Sequence, residues 1–265
     1  MRVIVVFFGV LDRGILETHQ RLNAFIRMVK EYHVVTTVCV DMAVPTVDGM
    51  ARCFSARHLL QCDVYQAYSQ SFLRSELAGF KTIKFDPSYY TATMNRNAML
   101  QLFSEQKVAD YLASTSSSYD TVIASSSDFL FMNHLEVGLL HNVTENAVMT
   151  SVQQNGHNGY TNGFYIGRPR SVINVMSRLR SMANITTSVH DYESMLRSAF
   201  VLHGIKHIPI RPWYFMKVRA DCDVVWPVSY MSRTGKNPKT RLYFDMYQGN
   251  KSLIAKKRDC TCPSR

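Results

Sequence analysis

Residues 2–8 (RVIVVFF) are apolar at every position after the first. A strand with no polar alternation has both faces covered, which is the situation of a strand inside a parallel sheet. A loop flanked by Gly9 and Gly14 follows. Leu22, Phe25, Ile26 and Val29 then recur at helical spacing from about Thr18, and residues 33–40 (HVVTTVCV) are again rich in β-branched residues. Parallel neighbours need a crossover, and a helix of this length supplies one. The chain therefore opens as a strand–loop–helix–strand unit, the signature of an α/β sheet. The loop lacks the GxGxxG spacing of dinucleotide sites, which argues against nicotinamide or flavin chemistry.

The same alternation continues downstream. Residues 43–60 read as an excursion, 63–68 as a short strand, and 80–90 as a segment with turn chemistry at Asp86-Pro87. A long helix is expected over 93–112, with Met99, Leu100, Leu102, Phe103, Val108 and Leu112 apolar. One extended segment is expected over 119–132, a short helix capped by Asn133 over 133–140, and a strand over 146–151. Residues 153–162, rich in Asn, Gly and His, form a loop, and the strand GFYIG follows at 163–167. Helices over 170–185 and from His190 to the stop signal Gly204 lead to strands at 205–210 and 213–218. There is no internal repeat and no low-complexity tract.

Composition narrows the class. The chain has 265 residues, enough to bury a sizeable core, and its hydrophobic share of 46% is that of a globular protein. The net charge of +10 is unevenly spread. Residues 231–265 hold nine basic residues against two acids, leaving +3 for everything before them. That end reads as a solvated tail, with phosphate or an anionic membrane surface as its next use. The six cysteines show no metal-ligand spacing, and Cys260 and Cys262 have no assigned role. The first apolar run is short and is followed at once by Asp12 and Arg13, so a core strand is expected there and not a signal peptide. No run reaches membrane-spanning length. A cytoplasmic protein with reduced thiols is the expectation.

The segment 119–132 (YDTVIASSSDFLFM) concentrates the chemistry. A strand-forming run breaks into three serines and Asp128 before apolar residues resume. A carboxylate past the end of a central strand lies where open α/β sheets bind ligands, and it can hold a hard cation. On this stretch alone, capping a turn or helix is the favoured use of Asp128. Several motifs in order resemble those of nucleotide-sugar glycosyltransferases of the GT-A type, over roughly residues 1–220. They are Gly9-Val10-Leu11-Asp12-Arg13 after the first strand and Asn95-Arg96-Asn97-Ala98-Met99-Leu100 at a helix start. Tyr119 to Asp128, Gly163-Phe164-Tyr165-Ile166-Gly167, Glu193, Gly204-Ile205 and Val218-Arg219 complete the set.

The resemblance implies an α/β, GT-A-like, Rossmann-like single domain with a mostly parallel mixed central sheet flanked by helices, over residues 1–225. A basic C-terminal extension over 226–265 follows it. It implies transfer of a sugar from a nucleoside-diphosphate sugar to a glycan or glycoconjugate hydroxyl. Gly9, Val10, Arg13, Arg96, Asn97, Ser126, Ser127, Lys217 and Arg219 are then the candidates for nucleotide-sugar binding. Asp128 is the candidate ligand for Mn or Mg, and Glu193 and Asp191 are the candidates for the base. The family's two-carboxylate Asp-x-Asp is reduced here to Ser126-Ser127-Asp128, so only its last acid is present. Basic side chains can also neutralise a leaving diphosphate without metal. His157 and His190 are further loop candidates, and the aromatic cluster at Trp213, Tyr214 and Phe215 suits either sugar stacking or core packing. Two other readings stand beside this one. A non-catalytic interaction protein on the same fold follows from Ser126 replacing an acid. A nucleic-acid-binding protein would use the basic tail, but no nucleic-acid module is visible and no nucleic acid partner is expected.

Overall fold

The computed structural model describes residues 2–9, 31–40, 67–68, 92–115, 119–126, 129–131, 137–152, 158–181, 191–210, 215–218 and 224–225. Among these residues the centre is a seven-stranded sheet. Its strands are β1 (Arg2–Gly9), β2 (Glu31–Val40), β3 (Ala67–Tyr68), β4 (Thr121–Ser126), β6 (Ala147–Ser151), β7 (Phe164–Gly167) and β8 (Lys206–Ile210). Their spatial order is β3-β2-β1-β4-β7-β6-β8. The β1–β2, β2–β3, β1–β4 and β6–β8 pairs are parallel, and β7 runs against both of its neighbours. The expected mostly parallel mixed sheet is what forms. A smaller three-stranded sheet joins β5 (Phe129–Phe131), β9 (Phe215–Val218) and β10 (Val224–Val225) in the order β10-β9-β5.

Burial explains why β1 is apolar without alternation. Val3, Ile4, Val5, Val6 and Phe8 are all buried. Ile4, Val6 and Phe8 pack in one cluster with Val122 and Ala124 of β4 and Tyr165 of β7. The same cluster takes in the helices α1 (Ala92–Thr115), α2 (Pro169–Met176), α3 (Arg178–Ser181) and α4 (Tyr192–Leu202). On α1 the buried stripe Ala98, Leu102, Ala109 and Leu112 follows helical spacing. The alternate residues of the sheet, among them Val3, Val5, Ile123, Phe164 and Ile166, are buried as well.

Two expectations change in detail. The single extended segment over 119–132 is two strands in two sheets: β4 pairs with β1 and β7, and β5 pairs with β9. Ser127 and Asp128, between the two strands, lie outside the described residues. The single helix over 170–185 is interrupted at Ser177, which closes α2 by donating its backbone N–H to Ile173 O at 2.8 Å. The next residue, Arg178, is thereby turned into the core, where it is fully buried. The short helix after β5 is a 3-10 helix, Val137–Asn142, and the expected cap Asn133 lies outside the described residues. So do the helix expected from Thr18 and the division at residue 226. Gly204, φ +61, ends α4 as expected, because a left-handed residue closes the helix without a Cβ clash.

Arg178 is held by Glu105 of α1, Nη1 to Oε2 at 2.5 Å, with both side chains fully buried. Two tyrosines complete the group. Tyr192 donates to Glu105 Oε1 at 3.0 Å and accepts from Arg178 Nη2 at 2.6 Å. Tyr165 donates to the same carboxylate at 3.2 Å and accepts from Gly163 N at 3.0 Å. Burial alone would lower the Arg178 pKa, but the Glu105 carboxylate holds it well above its ordinary value. Burial raises both tyrosines, so their hydroxyls keep the protons they donate. Four elements (α1, β7, α3 and α4) are thus tied through one carboxylate.

Removing one partner leaves a bare buried charge. Arg178→Met or Glu105→Leu is therefore expected to cost about 3–5 kcal/mol. The double variant is expected to lose clearly less than the sum of the two singles, as measured by urea unfolding in a double-mutant cycle.

Candidate functional site

The order β3-β2-β1-β4 means that the chain builds outward from β1 on one side and then returns to its other side. The strand order reverses between β1 and β4, and open α/β sheets bind their ligands at such a switch point, beyond the C-terminal ends of the strands. Phe8 of β1 lies opposite Ser126 of β4. The described ends of β1 and β4 therefore lie one strand spacing apart, about 4.8 Å. Val10, Arg13, Ser127 and Asp128 lie outside the described residues. The β1–β2 register shifts between Phe7 and Phe8, at this same end of the strand.

The antiparallel strand brings its opposite end to this edge. Ser125 faces Phe164, so β7 begins where β4 finishes. Ser126 N donates to Gly163 O at 2.7 Å, and a Cβ on Gly163 would meet the Phe129 ring at 2.7 Å. With φ at +84 as well, only glycine fits that position. Phe129 in turn stacks on Phe215, ring centroids 3.8 Å apart, and lies opposite Lys217 across β5 and β9. The backbone thus brings Lys217 to the residue that follows Asp128. Arg219 lies outside the described residues.

Two helices point their N-termini at the same edge. α1 precedes the parallel strand β4 and α4 precedes the parallel strand β8, so each begins at the C-terminal side of the sheet. The positive end of a helix dipole favours anions, and at α4 the Asp191 carboxylate takes that place. Arg96 and Asn97 fall in the second turn of α1, with their backbone described and their side chains not.

At the start of α4 the two acidic candidates part company. Asp191 is the N-cap: its Oδ1 accepts from Ser194 N at 2.7 Å, and Ser194 Oγ accepts from Asp191 N at 3.0 Å. This is a reciprocal cap, and it leaves Asp191 only 5% exposed. Glu193, half-buried, accepts from Asn162 Nδ2 at 2.9 Å. The loop 158–163 is laid directly on this turn. Tyr160 N donates to Glu193 O at 3.0 Å, and Arg197 Nη1 donates to Asn158 O at 3.1 Å. A Cβ on Gly159 would lie 2.2 Å from the Glu193 carbonyl carbon, so the close approach depends on glycine.

The structure places Gly9 and Ser126 at the ends of β1 and β4. It links Glu193 at the start of α4 to Ser126 through Asn162 and Gly163, and caps that helix with Asp191. Lys217 lies on β9 of the smaller sheet, opposite Phe129, and Arg96 and Asn97 lie near the start of α1. Asn162 was missed by sequence reasoning, hidden in a loop defined only by its Asn and Gly content. Glu105 was missed too, although it lies on the apolar stripe between Leu102 and Ala109, an unusual place for an acid. Among the described residues no group of three or more His, Cys, Asp or Glu side chains converges as a metal site. His157 and His190 lie outside the described residues. No helix among them is long and apolar enough to cross a membrane.

No family model matches the sequence, and no curated protein matches it. Solved structures of glycosyltransferases do align with it. The apo form of the glycosyltransferase GlyE of Streptococcus pneumoniae TIGR4 aligns with a TM-score of 0.41 at 11% identity, over 78% of this chain and 45% of GlyE. Mouse xyloside xylosyltransferase 1, also in its apo form, aligns with a TM-score of 0.42 at 9% identity, over 79% of this chain and 84% of the mouse protein. The chain thus spans less than half of GlyE.

One cluster beside the site titrates. His207 of β8 stacks on Tyr160 at 3.8 Å and bonds Thr150 Oγ1 through Nε2 at 2.8 Å. Burial lowers its pKa from 6.5 to about 4. The unfolded chain then binds a proton that the folded one refuses, so this contribution to stability is complete above pH 6.5 and is lost as pH falls from 6.5 towards 4. Thermal melts across that window are expected to fall more steeply for the native chain than for His207→Gln. Gly159→Ala is expected to cost about 1–3 kcal/mol by overpacking the start of α4, as read by chemical unfolding.

Proposed function

We propose that the protein is a glycosyltransferase that moves a sugar from a nucleoside-diphosphate sugar to a glycan or other hydroxyl acceptor. The observation that carries this reading is the single sheet edge at the β1–β4 switch point. The ends of β1 and β4, the Glu193 turn and the N-termini of α1 and α4 lie on that side, and β9, bearing Lys217, pairs with β5 of the smaller sheet just after β4 in the chain. A diphosphate leaving group needs its developing charge stabilised, and helix N-termini with Lys and Arg side chains do that. Arg13, Arg96, Lys217 and Arg219 are the cations proposed for it. Gly9, Val10, Asn97, Ser126 and Ser127 are proposed to line the nucleotide and sugar.

Glu193 is the proposed base for the acceptor hydroxyl. Asn162 donates to its Oε1, and a carboxylate can accept the proton of a hydroxyl as a general base. Asp191 is engaged as a helix cap, and its proposed part is to hold Glu193's turn in place. The donor set at Ser126-Ser127-Asp128 is all oxygen and suits a hard cation. Asp128 would hold Mn or Mg there, with the diphosphate completing the shell, and the cation would supply charge neutralisation at the leaving group.

A second reading follows from one feature. Ser126 stands where the two-carboxylate motif has its first acid, and a protein that had abandoned catalysis would tolerate this. The two readings separate in a thermal-shift screen against UDP-, GDP-, CMP- and dTDP-sugars with and without Mn or Mg. One nucleotide class is expected to raise the melting temperature through linkage. Asp128→Ala is expected to keep the fold and abolish the metal-dependent part of that shift along with sugar transfer. A well-folded protein that responds to no donor would favour the non-catalytic reading.

A further inference from the structure

We infer that Asn162 is a positioning residue that holds the Glu193 carboxylate, and that its own orientation is set by Gln101 and the buried Glu105. The part that concerns catalysis rests on the proposed role of Glu193 as base.

The argument starts from which way an amide faces. Gln101 of α1 has one amino group with two acceptors in reach: Glu105 Oε1 at 3.0 Å and Asn162 Oδ1 at 3.3 Å. Glu105 is an acceptor held in place by Arg178, Tyr165 and Tyr192. The amino end of Gln101 must therefore face Glu105, because its carbonyl end would set oxygen against oxygen. With that end fixed, the side of Asn162 facing Gln101 must be its oxygen. The amino group of Asn162 is then left pointing at Glu193 Oε1, 2.9 Å away.

Asn162 is 3% exposed, so water cannot substitute freely for any of these contacts. Its backbone is pinned as well. Gly163 follows it with a left-handed φ, bonded to Ser126 N on one side and to the Tyr165 hydroxyl on the other. The result is a line of directed hydrogen bonds from a fully buried ion pair to a half-buried carboxylate at the sheet edge. The polarity of each link is dictated by the one before it.

The test has two arms. The first needs no substrate: the side-chain amide signals of Asn162 are followed by 15N–1H correlation spectroscopy, assigned by their loss in Asn162→Ala. Glu193→Gln and Gln101→Met are each expected to shift them. Signals that ignore both substitutions in a folded protein would overturn the positioning.

The second arm measures nucleotide release from whichever of UDP-, GDP- or dTDP-sugar gives the largest thermal shift. Asn162→Ala is expected to lower kcat by about 10²-fold, as misplacement of a catalytic group does. KM for the donor should stay within about twofold, as expected when an interaction made in the transition state is lost. In the Glu193→Gln background the same substitution is expected to do little more, because the group it positions is already gone. A full further loss there would show that Asn162 acts independently of Glu193 and would overturn the catalytic part of the inference. Unimpaired release by Glu193→Gln would overturn the base assignment instead, and the spectroscopic arm would then decide the positioning alone.

Discussion

The Glu105 carboxylate organises this molecule. It sits fully buried between α1, α3, α4 and β7, and takes hydrogen bonds from an arginine and two tyrosines. A lone carboxylate in that position would be driven out of the core or protonated. Paired as it is, it fixes the spacing and rotation of three helices against one strand. Apolar packing alone would permit small slides between those helices, whereas directed bonds to a single acceptor group permit few. The cost is desolvation of two charges, so the gain lies in defined geometry more than in net stability.

That geometry reaches the sheet edge. Gln101, one turn before Glu105 on α1, carries the direction of the network outward to Asn162 and from there to Glu193. Gly159 and Gly163 allow the loop between β6 and β7 to press against both α4 and Phe129. The antiparallel sense of β7 is what makes this possible. Because β7 starts at the edge where the parallel strands end, the loop before it arrives among the ends of β1 and β4. A parallel strand in that place would have carried the loop to the far side of the sheet.

Much of the fold was legible in the residues. The unbroken apolar run of β1 and the helical spacing of α1 report burial, the β-branched run of β2 reports a strand, and each element appears where its pattern puts it. The closing glycine of α4 was legible for the same local reason. Less legible were the features that depend on distant partners. Nothing local in the segment 119–132 says that its two halves belong to different sheets, since both halves are equally strand-like. The break at Ser177 is similar: it turns Arg178 inward to meet an acid 73 positions earlier in the chain, and no local propensity encodes that.

The candidate site divides along the same line. The order of motifs resembling the GT-A family drew attention to Gly9, Ser126, Asp128 and Glu193; taken singly, each also suits a turn, a cap or a helix start. Sequence left Asp191 and Glu193 both as candidates, two residues apart at one helix start, with Glu193 the better match to the family's motif. Only the tertiary structure separated them, making one a cap bonded to its own helix and giving the other a partner from a different loop. Asn162, Gln101 and Arg178 likewise acquire their parts only on folding. Periodicity reveals which face of an element is buried, since burial follows from local spacing. Which polar groups meet on that face depends on how separate elements dock, and that is a property of the packed whole.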